Sequence, residues 1–371
     1  MSKFTGSLSS CVAVVGRGLL LPPAEMVRGE ARAAPVFASK PAFAGISLPV
    51  MAWLWHNSGL LRCVGATATD VGPMKIDLHS HTFYSDGVLS PEELVQRAVE
   101  KKVRVLAITD HDTTDGLARA QAHIAAADLP LQLIPGVEIS TSWYEFEIHL
   151  VGLQVNPADQ LLQQRLQSQQ QRRLERATEM ARRLTKFQVP DCLPAVLELA
   201  NGAALTRTHF ARHLVNIGKA SSLNNVFKKY LARGKAGYVP NNWVSLAEAI
   251  QWVHDAGGVA VLAHPLKYNL NGKWLTKLMR EFALAGGDAA EVASPQQTPV
   301  QKRELWRLCQ LFQLTASVGS DFHQPTDWNE LGRGLYMTDD ILPLWHDWQV
   351  NAAATRPLVQ LPEPPLTQLL E

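Results

Sequence analysis

The sequence has little of what marks a secreted, membrane-spanning or thiol-dependent protein. Its 371 residues include only four cysteines, and none of them forms a Cys-x-x-Cys spacing, so neither a disulfide framework nor a thiolate zinc site is supported. The apolar run at residues 46–55 is interrupted by Pro49 and is shorter than the roughly 20 residues that cross a bilayer. We therefore expect a cytoplasmic protein with no membrane segment.

Two catalytic signatures and a strong overall charge are also absent. There is no Gly-x-Ser-x-Gly nucleophile elbow and no Gly-Lys-Ser/Thr phosphate loop, so neither chemistry has its usual residues. The net charge is +1, but residues 158–240 contain fourteen Lys or Arg against five Asp or Glu. This local excess of +9 favours a nucleic acid ligand, with an ordinary solvated surface as the alternative.

The composition, 46% apolar and 19% charged, suits one large globular domain or two modest ones. Residues 1–73 have no helical or strand periodicity and scattered prolines. We interpret them as an unstructured extension or a wrongly assigned start, with an organelle transit peptide as the less favoured alternative. Residues 351–371 are rich in proline and are expected to form a loose tail.

Strand and helix patterns alternate through most of the chain. Strands are predicted at residues 75–78, 103–109, 131–134, 148–155, 259–262, 289–292 and 314–318. Ser90 and Glu93 form a capping-box signature at the first helix. Such alternation is typical of an α/β protein with a parallel sheet or barrel, here in two parts at 74–157 and 240–350. A purely helical pattern at 158–239 predicts an insertion lobe between them.

Histidines and carboxylates recur at or beside these strands in six short segments. The segments are residues 77–87, 109–112, 135–138, 147–150, 263–265 and 319–323. Taken singly, each has a structural explanation; Glu138, for example, could cap a turn, and Asp86 could hold one. Their coincidence near strand ends favours a metal site, because the carboxyl ends of parallel strands in a barrel meet at one rim.

These segments resemble the polymerase and histidinol phosphatase (PHP) superfamily of metal-dependent phosphoesterases, over residues 74–344. Within it, the run Thr-Arg-Thr-His-Phe-Ala-Arg at 206–212 and the run Ser-Asp-Phe-His-Gln-Pro at 320–325 are similar to the bacterial ribonuclease AM group, also described as 3',5'-nucleoside bisphosphate phosphatases. The resemblance implies a distorted (β/α)7 PHP barrel, with the helical lobe over the C-terminal rim of the strands.

The resemblance and the strand-end positions together indicate nine metal ligands. They are His79, His81, Asp86, His111, Glu138, His149, His264, Asp321 and His323. Nine exceed the three protein ligands of one catalytic zinc, which predicts two or three divalent ions. Nitrogen and oxygen donors without sulfur admit manganese, iron or zinc, and geometry rather than affinity decides among them. We expect Mn²⁺, with Fe²⁺, Zn²⁺ or Mg²⁺ as alternatives. Asp77, Asp110 and Asp112 are expected to orient ligand rings rather than bind metal.

The activity implied by the resemblance is 5' to 3' exoribonuclease action on 5'-phosphorylated RNA, including maturation of rRNA 5' ends, and hydrolysis of 3',5'-nucleoside bisphosphates. Arg207, His209 and Arg212 are the predicted substrate-binding residues, and a metal-held water rather than a side chain is the expected nucleophile. No obligate protein partner is evident. The alternatives are a phosphatase of small nucleotides only, a histidinol phosphatase, and a non-catalytic nucleic acid binding module, which the complete ligand set disfavours.

Overall fold

A computed structural model describes residues 74–338 and 340–349. The interpretations of residues 1–73 and 351–371 lie outside the described residues. Within that described part, no helix is long and apolar enough to cross a membrane.

One sheet of eight strands organises the described chain. The strands are β1 (Lys75–Asp77), β2 (Val103–Ile108), β3 (Gln132–Trp143), β4 (Phe146–Leu153), β5 (Val244–Ser245), β6 (Val259–Leu262), β7 (Ala289–Ala293) and β8 (Thr315–Val318). Their order is β1-β2-β3-β4-β6-β7-β8, and β5 pairs with β3. The seven strands of the main path correspond to the seven predicted ones, and the α/β class is confirmed.

Helices cover the sheet and form the segment between β4 and β5. They are α1 (Pro91–Glu100), α2 (Leu117–Ala126), α3 (Gln160–Thr185), α4 (Leu193–Ala200), α5 (Arg207–Asn216), α6 (Leu223–Val226), α7 (Leu246–Asp255), α8 (Gly272–Leu284) and α9 (Pro299–Phe312). A π-helical turn at Phe227–Leu231 follows α6, and a 3-10 turn at Pro265–Tyr268 follows β6. The predicted capping box of α1 is confirmed, since the Ser90 and Glu93 side chains each accept the other residue's amide.

The expected parallel sheet is antiparallel in its middle. β3 runs nine residues beyond the predicted Ile134 to reach Trp143. It then turns through Tyr144, at φ 51°, into β4, which is antiparallel to both β3 and β6. A hairpin needs no crossover helix, whereas parallel neighbours do. Polar residues such as Ser140 and Ser142 hid this extension from a search for apolar runs.

The first and last strands of the sheet approach each other. The amide of Leu78 donates to the carbonyl of Val318 at 3.1 Å, and just beyond the strands Ser80 forms a parallel bridge with Phe322. The sheet therefore curls around its core, which contains apolar side chains from the strands and from α7, α8 and α9. The curl brings the loops after β1 and after β8 side by side.

Helix α3 joins the sheet to the helical segment. Its first half packs Leu162 and Leu166 into the core under the sheet, and its second half packs Met180 and Leu184 into a separate core with α4 and α5. The buried apolar residues of α3 are Leu162, Leu166, Ala177, Met180, Ala181 and Leu184. A buried ion pair lies at the same junction, where Arg173 contacts Asp112 at 2.6 Å just beyond the end of β2.

Candidate metal centre

Two histidines leave β1 on the same side of the chain. His79 and His81 are fully buried, and their Nε2 atoms lie 3.1 Å apart. This is the geometry expected of alternate residues in an extended segment. The loop then turns back, so that Asp86 approaches His323 from the other end of the sheet, with 3.1 Å between Oδ1 and Nε2.

All nine predicted ligands meet at this rim, where they fall into three overlapping clusters. The first is His81, Asp86, His111 and His323; the second is His79, Glu138, His264 and Asp321; the third is His111, Glu138 and His149. Within each cluster the potential ligand atoms lie within 4.8 Å of one another. Glu138 and His111 belong to two clusters each, so the clusters adjoin.

Glu138 occupies the centre of this arrangement. It is completely buried on β3, where a parallel bridge pairs it with His111 after β2. Its Oε1 lies 3.0 Å from both His149 Nδ1 and His264 Nε2, and its Oε2 lies 2.8 Å from His111 Nδ1. One carboxylate thus touches rings delivered by four different segments, since His79 Nε2 is also 3.4 Å away.

Two of the predicted ligands have backbone conformations that side chains rarely adopt. His264 follows β6 at φ 31°, and Asp321 follows β8 at φ 50°. Such conformations cost free energy and persist where the surroundings enforce them, commonly at functional sites. Here the amide of His264 donates to Glu291 at 2.7 Å and the amide of Asp321 donates to the His79 carbonyl at 2.9 Å.

Glu291 is a site residue that the sequence analysis missed. It is buried on β7, and its Oε1 lies 2.6 Å from Nδ1 of His79. A carboxylate on the outer ring nitrogen fixes the tautomer and leaves Nε2 free to bind a metal. The available signal was a lone glutamate in the strand Ala-Ala-Glu-Val-Ala, where a buried charge requires a partner.

Replacing Glu291 with Ala is expected to weaken metal binding roughly 10- to 100-fold, because the His79 ring loses the group that orients it. Isothermal titration calorimetry of the metal-free protein with Mn²⁺ measures the affinity. Asp288→Asn is the matched control, since it alters a histidine contact of similar length, 2.8 Å to His254, outside the clusters. Equal affinities of the Glu291 variant and the unmodified protein would contradict the orienting role.

The other expected orienting carboxylates have different partners. Asp77, Asp110 and Asp112 accept hydrogen bonds from backbone amides, from hydroxyl groups and, for Asp112, from the Arg173 guanidinium, rather than from ligand rings. The amides belong to His79, Ser320, Gly332, Thr82 and Ser140. These contacts anchor the loops that carry the histidines, so the three aspartates position the site through the backbone.

The electrostatics of the clusters suit a cation. Burial opposes ionisation, yet the neighbouring imidazole rings lower the pKa values of Glu138 and Asp86 well below the ordinary range. In turn, although burial disfavours the charged ring, the Glu138 carboxylate raises the pKa of His149 to about 10. Burial and the adjacent His323 ring lower the pKa of His81 to about 3, which leaves a neutral ring. Persistent carboxylate charge in a buried pocket requires positive charge beside it.

The donor atoms also fit metal ions in their orientation. Asp86 Oδ1 and Glu138 Oε2 are buried, and each approaches a histidine nitrogen, at 3.1 and 2.8 Å, without the geometry of a hydrogen bond. Oxygen and nitrogen atoms that approach one another without hydrogen bonding are in positions to bind the same metal ion. Nitrogen and oxygen donors without sulfur are compatible with manganese, iron or zinc.

A cavity of about 610 Å³ opens above the clusters. Its floor includes Glu138, His264 and Asp321, and its wall is formed by the helical segment. The wall side chains include Arg173, Arg176, Met180, Leu205, Arg207, Phe210 and Phe227. Lys267, a second residue that sequence reasoning missed, also lines the cavity and forms an ion pair with Asp321.

The three predicted substrate-binding residues occupy different positions. Arg207 lines the cavity, about one third exposed, with Nη2 3.4 Å from Glu147. His209 is buried and accepts the Thr206 amide at 3.1 Å, and burial lowers its pKa to about 4. Arg212 donates to the backbone carbonyl of Asp86 at 2.6 Å. Arg207 alone among them faces the cavity, while the other two stabilise its walls.

This combination defines a class of protein. Buried histidines and carboxylates gathered at one rim of a curled α/β sheet, beneath a cavity with arginine and lysine side chains, are the features of a metal-dependent phosphoesterase. The family model described as PHP domain matches residues 77–214. The chain belongs to the PHP family and is a hydrolase of phosphoric esters.

Several proteins resemble this chain over most of their lengths. The 5'-3' exoribonuclease Rnm of Escherichia coli (strain K12) is 53% identical over 273 residues, which cover 74% of this chain and 93% of that protein. The 3',5'-nucleoside bisphosphate phosphatase of Chromobacterium violaceum is 40% identical over 270 residues, 72% of this chain and 93% of that protein. A solved amidohydrolase from Chromobacterium violaceum, with bound sulfate and no metal, has a TM-score of 0.69 at 38% identity, covering 74% and 95% of the two chains.

Proposed function

We propose that this protein is a metal-dependent 5' to 3' exoribonuclease that releases nucleotides from 5'-phosphorylated RNA and also hydrolyses 3',5'-nucleoside bisphosphates. The observation that carries the proposal is the cavity in which residues of all three clusters face Arg207. The names of the relatives support both activities. Maturation of rRNA 5' ends in the cytoplasm belongs to the same proposal.

The nine clustered residues would hold two or three divalent ions, with Mn²⁺ as the first candidate. When bound, such ions lower the pKa of a water molecule and stabilise charge on the attacking and leaving oxygens of a phosphate ester. The protein contributes the geometry. The Glu138 carboxylate contacts histidines of all three clusters, and the Glu291 carboxylate orients the His79 ring.

The chain's own residues would position the substrate. The cavity volume falls within the usual range of roughly 300 to 1,000 Å³ for small-molecule sites, so one nucleotide fits. Arg207 supplies a planar guanidinium for a terminal phosphate. Phe227, whose ring lies 6.0 Å from the Arg207 guanidinium carbon, offers an apolar surface for a base.

We further propose that residues 158–239 form an insertion lobe whose role is to close the cavity around the substrate, between barrel parts at 74–157 and 240–350.

Arg207→Ala is expected to lower kcat/KM for RNA and for adenosine 3',5'-bisphosphate alike, because both carry the phosphate it would bind. The loss of a charged hydrogen bond costs about 1.5 to 3 kcal/mol, or roughly ten- to a hundredfold. Steady-state kinetics with both substrates measure it. Arg182→Ala, which removes an exposed arginine paired with Glu179, is the control and should change neither value. An unchanged kcat/KM in the Arg207 variant would remove it from the substrate site.

The function itself is tested by offering the Mn²⁺-loaded protein three substrates side by side. These are 5'-phosphorylated RNA, single-stranded DNA and adenosine 3',5'-bisphosphate. The proposal predicts mononucleotide release from the 5' end of RNA together with phosphate release from the bisphosphate. Hydrolysis of the bisphosphate without any action on RNA would favour the alternative, a phosphatase of small nucleotides, for which the same cavity would serve.

A further inference from the structure

A second concave surface lies on the helical segment, away from the ligand clusters. It is a groove of about 540 Å³ lined by four lysines and three small uncharged residues. The lining residues are Lys219, Ala220, Ser221, Asn225, Lys228, Lys229 and Lys235. Lys228, Lys229 and Lys235 are exposed. We call this surface the lysine groove.

The arginines around it differ from these lysines in how their charges are balanced. Most arginines of the helical segment form ion pairs with carboxylates. The pairs are Arg165 with Asp255, Arg173 with Asp112, Arg176 and Arg207 with Glu147, Arg182 and Arg183 with Glu179, and Arg233 with Glu145. Among the described residues, no carboxylate pairs with a lysine of the groove. Of the seven Lys or Arg side chains of residues 158–240 for which the described part of the chain shows no carboxylate partner, four line this groove.

The groove and the catalytic cavity share one wall. In the continuous stretch from α6 through the π-helical turn, Asn224 and Phe227 face the cavity, while Asn225, Lys228 and Lys229 face the groove. A helix is about 10 Å across with its side chains, so the two surfaces are close neighbours. An extended ligand that leaves the cavity across this wall would enter the lysine groove.

We propose that the lysine groove binds the phosphodiester backbone of single-stranded RNA downstream of the nucleotide in the cavity. The proposal rests on the proposed exoribonuclease function for the identity and direction of the strand. Lysine ammonium groups act as point charges that attract phosphates without reading sequence. The groove has no large apolar or aromatic side chain in its lining, which favours backbone contacts over insertion into a lipid surface.

The test replaces Lys228, Lys229 and Lys235 with Gln in the full-length protein. Binding of a 3'-labelled, 5'-phosphorylated 20-nucleotide RNA is measured by fluorescence anisotropy in EDTA, where no cleavage occurs. Loss of three phosphate contacts should weaken binding roughly ten- to a hundredfold near 0.1 M salt and reduce the slope of log affinity against log salt by about 2. The kcat/KM for adenosine 3',5'-bisphosphate, which does not extend beyond the cavity, should be retained.

The matched control removes the same charge from exposed positions outside the helical segment, by replacing Lys102, Lys273 and Arg303 with Gln. RNA affinity should not change in this variant. The proposal is overturned if the groove variant binds RNA as the unmodified protein does, or if both variants lose equal affinity. It is also overturned if the groove variant loses binding to phosphatidylserine vesicles while RNA binding is intact. Groove-dependent RNA binding without RNA hydrolysis would support the groove and contradict the exoribonuclease function.

Discussion

Glu138→Gln is expected to abolish phosphoesterase activity and to deplete the protein of bound metal. The substitution preserves shape but removes the charge of a carboxylate that contacts His79, His111, His149 and His264. Metal ions contribute several kcal/mol of charge stabilisation in phosphate ester hydrolysis, so turnover should fall at least about a thousandfold. Metal content by mass spectrometry and hydrolysis of adenosine 3',5'-bisphosphate provide the two readouts.

The control for this variant is Glu281→Gln on α8. Glu281 accepts the indole N–H of Trp143 at 2.9 Å, and the glutamine oxygen can replace that contact. The control should retain both its metal and its activity. Full metal occupancy with normal turnover in the Glu138 variant would show that the assignment of this residue as a central ligand is incorrect.

Gly319→Ala should also eliminate most of the activity, although the residue has no functional group. A Cβ atom at this position would lie 2.3 Å from the Cβ of His79 and 2.8 Å from Oε1 of Glu291, closer than real atoms approach. The clash would displace the ligand histidine or its orienting carboxylate. A misplacement of about 1 Å costs roughly a hundredfold in rate, and overpacking lowers stability by about 1 to 3 kcal/mol.

Kinetics and thermal unfolding together test this prediction. Gly272→Ala serves as the control, because an added Cβ at the start of α8 meets nothing within 4 Å. The control should equal the unmodified protein in activity and in Tm. If Gly319→Ala kept both full activity and full metal affinity, the packing of Gly319 against His79 would not be essential to the site.

The strands and the capped first helix could be predicted from local patterns, because side-chain periodicity and capping depend on residues only a few positions apart. The hairpin of β3 and β4 could not. Its direction depends on which strand lies beside β3, and that is decided by packing against β6 across more than a hundred residues of chain. Distant residues of α3 satisfy polar groups of β3: Arg173 donates to the Ser140 hydroxyl, and Gln169 donates to the Ser140 backbone carbonyl.

The positive charge of residues 158–240 is also predicted by the sequence only in part. Composition predicts a basic segment, but it assigns arginines and lysines the same role. In the structure, Arg173 and Arg176 are buried and bound to Asp112 and Glu147, whereas three lysines of the groove, Lys228, Lys229 and Lys235, are exposed. Whether a charge is free to bind a ligand depends on the carboxylates that folding places beside it.

The residue types at strand ends were sufficient to predict a metal site in an α/β protein, because metal ligands are chemically restricted to a few side chains and parallel strands deliver their ends to one rim. The phosphoesterase activity was implied by the resemblance of these segments to the PHP superfamily. The roles within the site depended on the folded chain. Glu291 is 212 residues from the His79 ring that it holds, and Gly319 matters only because that ring lies against it. Such contacts arise when the sheet curls and brings β1, β7 and β8 together, and no local pattern encodes them.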